Sequence, residues 1–321
     1  MATLAYHASH EQFAPSELLS YVKLAEKGGF HGCHASDHFH PWSERQGQSG
    51  YVFSWLGAAM EATCFPFSVI TAPGQRYHPA IIAQAIGTLL QMYPDRLTVS
   101  LGSGEALNEC ITGDAWPEKV VRNIRLLQCA QIINRLLAGE EVTHAGLVNV
   151  ARAKLYTRPL DAPPLMCAAL SKETAAWAGS WADGLLTTYQ PRGKLEEIIA
   201  AFRVNGGAGK PVHVKLTFSY ARDKERARFE AHHQWRFDCI EKQKLAELHS
   251  VADFDNAAKN ISVEQVASII PISNCISDIV SLIKKNEAAG VEHVILHNVG
   301  RNQEEFINDF AANVFNNGMR Q

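Results

Sequence analysis

CFPFSVITAPGQRYHPAIIAQAIGTLLQMYPDRLTVSLGSGEA, running from Cys64 to Ala106, decides the fold. CFPFSVITA is an unbroken apolar, β-rich run, the pattern of a strand buried on both faces. PAIIAQAIGTLLQMY then sets Ile82, Ala85, Leu89 and Met92 along one helix face. RLTVSLGSGEA is a second strand, ending in a glycine-rich turn. A strand, a crossover helix and a second buried strand make one unit of a parallel sheet.

The unit recurs in both directions. Upstream, TLAYHAS is a strand. In APSELLSYVKLAEKGGF, Pro15 suits a first helical turn, Leu18, Val22 and Ala25 follow at helical spacing, and Gly28–Gly29 stop the helix. HGCHASDHF is another strand, and SERQGQSGYVF reads as a loop. Downstream, WPEKVVRNIRLLQCAQIINRLLAG is a long helix with Leu126, Ala130, Ile133 and Leu137 among its apolar positions. PPLMCAAL, DGLLTT and PVHVKLTFSY are strands, separated by the helices SKETAAWAGSWA and RGKLEEIIAAFRVNGG. The charged stretch 221–273 reads as a helical insertion. VEHVILHNV and NQEEFINDFAANVF supply the last strand and helix. Seven or eight such units in 321 residues predict an α/β fold, a closed (β/α)8 TIM barrel. It is expected to form one domain over 1–321, with the insertion at 221–273 preceding the last strand. No strand runs into G-x-G-x-x-G with an acidic residue about twenty positions on, which argues against an open dinucleotide-binding sheet.

The net charge of −3 gives no electrostatic case for nucleic acid or an anionic membrane as partner. No apolar run is long enough to span a bilayer and no leader pattern opens the chain, so the expected place is the cytoplasm. The 7 cysteines are odd in number and form no C-x-x-C pair, so reduced, buried thiols are expected.

In a barrel the site lies at the C-terminal strand ends, and the polar clusters gather there. His7, Ser9, His10, Glu11 and Gln12 follow the first strand. SDHFHPW, Ser36 to Trp42, follows the second. TAPGQRYHP follows the third and GSGEALNE, with Glu105 and Asn108, the fourth. Thr187, Thr188 and Tyr189 follow the sixth, and His297, Asn298 and Arg301 the last. SDHFHPW admits three readings. As a metal site it would use His38, His40 and Asp37, the two histidines pointing the same way along a strand, with His7 and His297 as possible further ligands. As a proton-transfer site, Asp37 would set the tautomer and basicity of His38, with Glu105 as a second acid/base group. It could also be a satisfied turn. The tryptophan beside the histidines and the lack of a second tight His/Asp/Glu pair favour proton transfer over metal. The small residues of GSGEA let backbone approach a planar ring or a phosphate. Ser171, where a strand meets a helix in AALSKETA, offers a hydroxyl and free N–H groups to an anion, or serves as an ordinary cap.

With SHEQFAPSEL, SDHFHPW, SVITAPGQRYHPAIIAQA, GSGEALNE and AWPEK in hand, the chain from Leu4 to Phe315 resembles the luciferase-like monooxygenase superfamily of flavin and deazaflavin enzymes. It looks most like the branch of glucose-6-phosphate dehydrogenases that use the deazaflavin coenzyme F-420 (F420), and closer still to bacterial FMN-dependent oxidoreductases carrying SDHFHPWSERQGQSG and LHNVGRNQ. The resemblance implies a flavin-dependent oxidoreductase, expected as a homodimer, acting on a small organic substrate. It implies that Asp37 and His38 contact cofactor and substrate, that His38 and Glu105 move the proton, that Glu11 lines the pocket, and that Trp42 and Thr188 flank the substrate. For the cofactor it implies Asp37, a non-proline cis peptide at Ser68–Val69, the turn Ser103–Gly104–Glu105, and Ala169, Leu170 and Ser171.

The departures concern the sugar phosphate and the cofactor. The sixth-strand loop has Pro191 where the dehydrogenases carry lysine, the insertion has Asn256 where another is expected, and ASIIPIS lacks their arginine; Arg192 or Lys259 could substitute. Without those charges the phosphate loses its charge-assisted bonds. Leu170–Ser171–Lys172 replaces a Gly-Gly-Pro turn, which favours FMN over F420. An FMN monooxygenase, a metal-dependent barrel hydrolase built on His38 and His40, and a non-catalytic flavin-binding protein stay as alternatives.

Overall fold

The computed structural model describes residues 2–190 and 193–315; Pro191 and Arg192 lie outside them. The elements begin β1 (Thr3–Ala8), α1 (Pro15–Gly28), β2 (Gly32–Ser36), α2 (Val52–Ala62), β3 (Phe67–Thr71), α3 (Pro79–Met92) and β4 (Leu97–Leu101). A short α4 (Ala106–Glu109), α5 (Lys119–Leu137) and a two-stranded ribbon, β5 (Val142–His144) and β6 (Val150–Ala153), lead to β7 (Leu165–Ala168). Then come α6 (Lys172–Gly179), β8 (Gly184–Thr188), α7 (Lys194–Phe202) and β9 (Val212–Tyr220). Four helices follow: α8 (Lys224–Trp235), α9 (Lys242–Leu245), α10 (Val251–Ala257) and α11 (Val263–Ala267). The two-residue β10 (Ile272–Ser273), α12 (Ile276–Ala288), β11 (His293–Asn298) and α13 (Gln303–Phe310) end the order.

Eight parallel strands pair in the order β1-β2-β3-β4-β7-β8-β9-β11, and β11 returns to β1, so the sheet closes. This is the (β/α)8 barrel. The helices α8–α11 fall within the expected insertion, and the two residues of β10 pair in parallel beside the end of β9.

Among the elements that escaped the sequence reading are α2, the β5–β6 ribbon and α12. α2 begins at Val52, inside the stretch read as loop; it is buried at Val52, Phe53, Trp55, Leu56, Ala59 and Met60, too broadly for one apolar stripe to show. Nothing was expected for the ribbon, whose strands are three and four residues long. Nor was α12 expected, although Ile276, Ile279 and Ile283 stand at helical spacing. The cysteine expectation holds in part: Cys33, Cys129 and Cys167 are buried, but Cys64 and Cys275 are exposed. No helix among the described residues is long and apolar enough to cross a membrane.

Strand alternation divides the barrel into two environments. Outward residues such as Tyr6, Val69, Val99, Val214 and Leu216 join the large core against the helices. The inward set is mixed. Ala5, Leu186 and Ile295, with Ile70 against them, form a small apolar patch inside. Beside it lie His7, His34, Ser68 and His297, where branched aliphatics would ordinarily fill the interior. A second core, including Leu107, Trp235, Phe237, Phe254 and Val299, packs the insertion helices against the strand-end loops.

Candidate active site

The loops after β1 and β2 meet first. Glu11 is buried and accepts hydrogen bonds from Ser9 Oγ at 2.9 Å and Ser36 Oγ at 3.1 Å. His38 Nδ1 stands 3.3 Å from Glu11 Oε1. Burial works against the Glu11 charge, but His38, Lys215 and the hydrogen bonds more than offset it and hold this carboxyl below its ordinary range. Burial also dominates at His38 and lowers its pKa, although Glu11 pulls the other way. His38 is therefore a neutral imidazole near pH 7.

Asp37 does not pair with His38; it faces the β3 loop. Its Oδ2 accepts from Thr71 Oγ1 at 2.7 Å and from Arg76 Nη2 at 3.3 Å, and its Oδ1 accepts from the Tyr77 hydroxyl at 3.3 Å. Arg76 reaches on to Glu109 at 3.5 Å, so one buried guanidinium serves two carboxylates from different strand ends. His40 turns away: its Nδ1 lies 2.9 Å from the Leu107 carbonyl. Because β2 ends at Ser36, the alternation that would aim His38 and His40 together no longer applies. The structure thus separates the two histidines of the metal reading.

The β4 turn is stitched to SDHFHPW by Asn108, whose Oδ1 accepts from the backbone N–H groups of Phe39 and His40 at 2.8 and 3.0 Å. Gly104 takes φ +80°, and a Cβ there would lie 2.7 Å from Glu109 Cγ, so glycine is required. Glu105 follows at the N-cap of α4. Burial, partly countered by Lys215, pushes its carboxyl up to about 7. Glu105 and His38 share no hydrogen bond; they enter the mouth from separate strand ends. Ser103 Oγ accepts from Lys119 Nζ at 3.1 Å. Trp42 meets His38 edge-on at 4.8 Å and stacks on Phe237 at 5.1 Å, tying the loop to the insertion.

The remaining expectations divide. Among the described residues there is no cis peptide, so Ser68–Val69 is trans. Both residues keep strand register, Ser68 beside His34 and Val69 beside Ala35, and a trans bond is what continuous pairing uses. Ser68 Oγ lies 2.8 Å from His34 Nδ1 inside the barrel, whereas the Val69 side chain packs outward. Ser171 is the N-cap of α6, accepting from Thr174 N–H at 3.3 Å; it is exposed, as is Leu170, while Ala169 is buried. Thr188 ends β8 opposite Lys215 of β9. Asn256 and Lys259 are exposed on the insertion.

Lys215 and Glu109 were given no role by the sequence reading. The signal for Lys215 lay in HVKLTF, where it occupies the inward phase of a strand whose outward phase is Val214, Leu216 and Phe218. The residues present fit a flat, polar-edged ring. The inward apolar patch offers a face for it, and a Cβ at Gly102 would meet nothing closer than 4.0 Å.

A model of the luciferase-like monooxygenase family matches residues 2–293. An F420-dependent glucose-6-phosphate dehydrogenase of Microbacterium testaceum is 33% identical, covering 96% of this chain and 95% of its own. A second such dehydrogenase, of Rhodococcus jostii, is also 33% identical, with the same coverage. Among solved structures, an F420-dependent secondary alcohol dehydrogenase bound to an F420–acetone adduct superposes with TM-score 0.89 and 27% identity, covering 97% of each chain.

Proposed function

Since the chain belongs to the luciferase-like monooxygenase family and is an oxidoreductase of it, we propose that it uses F420 to exchange hydride with a small organic alcohol or its carbonyl. The preference for FMN drawn from Leu170–Ser171–Lys172 gains no support. Ser171 already caps α6, and the full-length relatives at 33% identity are named for F420.

One observation carries the reading: Glu105 is held near neutrality at one strand end while a neutral His38 backed by Glu11 occupies another. The deazaflavin, when bound, supplies the hydride acceptor or donor; the protein supplies position and proton transfer. His38 Nδ1 faces Glu11, which leaves its Nε2 as the atom that takes or gives the substrate's hydroxyl proton. Glu105 is the second proton-exchanging group on the pocket wall. Trp42 limits the pocket on the insertion side and Thr188 on the β8 side. Ala169–Ser171 and Ser103–Glu105 would hold the cofactor by backbone and hydroxyl groups.

The dehydrogenases' phosphate-binding charges are missing at Asn256, and Pro191 and Arg192 lie outside the described residues. The proposed substrate is therefore an unphosphorylated alcohol or sugar, in keeping with the alcohol dehydrogenase that superposes so fully. Homodimerisation is part of the same proposal and is checked by light scattering.

Titration of the purified protein with F420 and with FMN, followed by fluorescence, tests the cofactor. Anaerobic assays of secondary alcohols, sugars and glucose-6-phosphate with F420 then test the substrate. Tight F420 binding with reduction by a neutral alcohol supports the proposal. Binding of FMN alone, with turnover that consumes oxygen, overturns it in favour of a monooxygenase.

A further inference from the structure

The stretch SERQGQS, Ser43–Ser49, reads as a loop from the sequence, and the chemistry above gives it no role. It forms neither helix nor strand, so its polar groups are free to bond elsewhere. They bond to the site. The Ser49 hydroxyl donates to the His38 carbonyl at 2.7 Å. The Gln48 N–H donates to the Glu11 carbonyl at 3.1 Å. Gln46 Oε1 accepts from the Trp42 N–H at 2.8 Å. One short segment thus grips the backbone of the His38–Glu11 pair and of the tryptophan beside it.

The same segment reaches the insertion. Gln46 Nε2 donates to the Gln234 carbonyl, in the last turn of α8, at 3.1 Å. Arg45 Nε donates to the His233 carbonyl at 2.9 Å, and its Nη2 lies 2.7 Å from Asp255 of α10. That ion pair is partly exposed at the rim and counts for less. From the other side Gln12, next to Glu11, donates from Nε2 to Gln234 Oε1 at 3.1 Å and to the Val299 carbonyl at 2.8 Å. Gln12, Gln46 and Gln234 are all buried. A buried amide needs both of its halves satisfied. Gln46 meets that need in one orientation, with its oxygen on the Trp42 N–H and its nitrogen on the Gln234 carbonyl. A carboxylate there would offer two acceptors, and an aliphatic side chain neither group.

We propose that Gln46 is a positioning residue: its amide fastens the SDHFHPW loop to the insertion and so sets where Trp42 stands between Phe237 and His38. The Trp42 ring stacks on Phe237, just beyond Gln234, and Trp235 meets His297 edge-on at 4.6 Å. Ring stacking alone tolerates sliding, because it has no fixed donor or acceptor to register. The Gln46 amide bonds the backbone on each side of that stack and removes the freedom. The insertion is then one wall of the site, aligned with the proton-transfer loop by a single side chain. The effect on substrate binding rests on the proposed oxidoreductase chemistry; the alignment itself does not.

The test is fluorine NMR of cofactor-free protein carrying 5-fluorotryptophan at its 6 tryptophans. Trp42→Phe and Trp235→Phe assign the two resonances of interest. Gln46→Leu removes both hydrogen bonds. Gln46→Glu keeps the volume and the Trp42 contact but sets an acceptor against the Gln234 carbonyl. Both variants are expected to shift or broaden the Trp42 and Trp235 resonances together and to leave Trp177 and Trp181, on the far side of the barrel wall, in place. If one variant does not fold, the other is read alone. Unmoved Trp42 and Trp235 resonances in a folded variant overturn the proposal, as does an equal shift of every tryptophan, which marks general loosening of the fold. In the F420 assay, Gln46→Glu should raise substrate KM about tenfold with a smaller change in kcat; a fall in kcat at unchanged KM overturns the substrate-side role. The NMR measurement contains no cofactor or substrate, so its failure is distinct from failure of the F420 reading.

Discussion

The imidazole Nδ1 of His38 stands 3.3 Å from the Glu11 carboxylate, joining the loops after two adjacent barrel strands. Either group alone would be poorly suited to proton transfer. Burial by itself would leave His38 a weak base and Glu11 a protonated acid. Together, the carboxylate raises the basicity of the ring that burial lowers, and the hydroxyls of Ser9 and Ser36 stabilise the carboxylate.

Replacing Glu11 with Gln therefore lowers the pKa of His38 further, because the group that raises it is gone. Turnover should fall about a hundredfold, in the range of a lost general acid/base contribution. Histidine proton shifts followed against pH give the first quantity, and kcat with the substrate found by screening gives the second. An unchanged His38 midpoint would show that the contact has no electrostatic weight.

Glu105 makes stability depend on pH in a predictable direction. Its folded pKa of about 7 exceeds its ordinary value of 4.5. Between those values the native state holds a proton that the unfolded chain has released. This contribution to stability is fully present below about 4.5 and is lost as pH rises through about 7. The melting temperature should decline over that window, and Glu105→Gln should flatten the decline. A wild-type profile as flat as the variant's would contradict the assignment.

How far the site was legible depended on whether a residue's role is local. Glu11, Asp37, His38, Trp42 and Glu105 stand in short polar runs at strand ends, and strand ends are readable from hydrophobic pattern. The barrel was legible for the same reason. The partnerships were not: Asp37 and His38 are neighbours in sequence, yet one turns to Thr71, Arg76 and Tyr77 and the other to Glu11. Sequence adjacency does not say which loop each will meet once the barrel closes. Lys215 sits in an otherwise apolar strand, where its inward phase is plain but its neighbours are supplied by distant strands. The trans bond at Ser68–Val69 marks the limit of carrying a backbone feature over from a resemblance.

Arg76 links Asp37 to Glu109, and its side chain is only 5% exposed while that of Asp37 is fully buried. Arg76→Met should destabilise the fold by about 3–5 kcal/mol, the cost of leaving a buried charge without its partner. Adding Asp37→Asn and Glu109→Gln should recover part of the loss, because the orphaned charges are then removed. Urea midpoints of the single and triple variants provide the check. A single variant as stable as wild type would mean that water, not Arg76, compensates the carboxylates.

Trp42 ties the SDHFHPW loop to the insertion by stacking on Phe237 at 5.1 Å and meeting Phe254 at 5.3 Å. On its other side it meets His38. Trp42→Ala removes one wall of the proposed substrate pocket and the anchor of that loop together. Because the ring is only partly buried, the stability loss should be about 3 kcal/mol, the lower end for a large aromatic truncation. If, as proposed, the ring flanks the substrate and not the strand-end turns offered to the cofactor, substrate KM should rise more steeply than F420 affinity falls. Trp42→Phe keeps a ring against Phe237 and should recover most of the stability but only part of the KM. Equal losses of substrate and cofactor binding would instead mean that the ring holds the whole mouth in shape, and Trp42 would then not be a substrate-side residue.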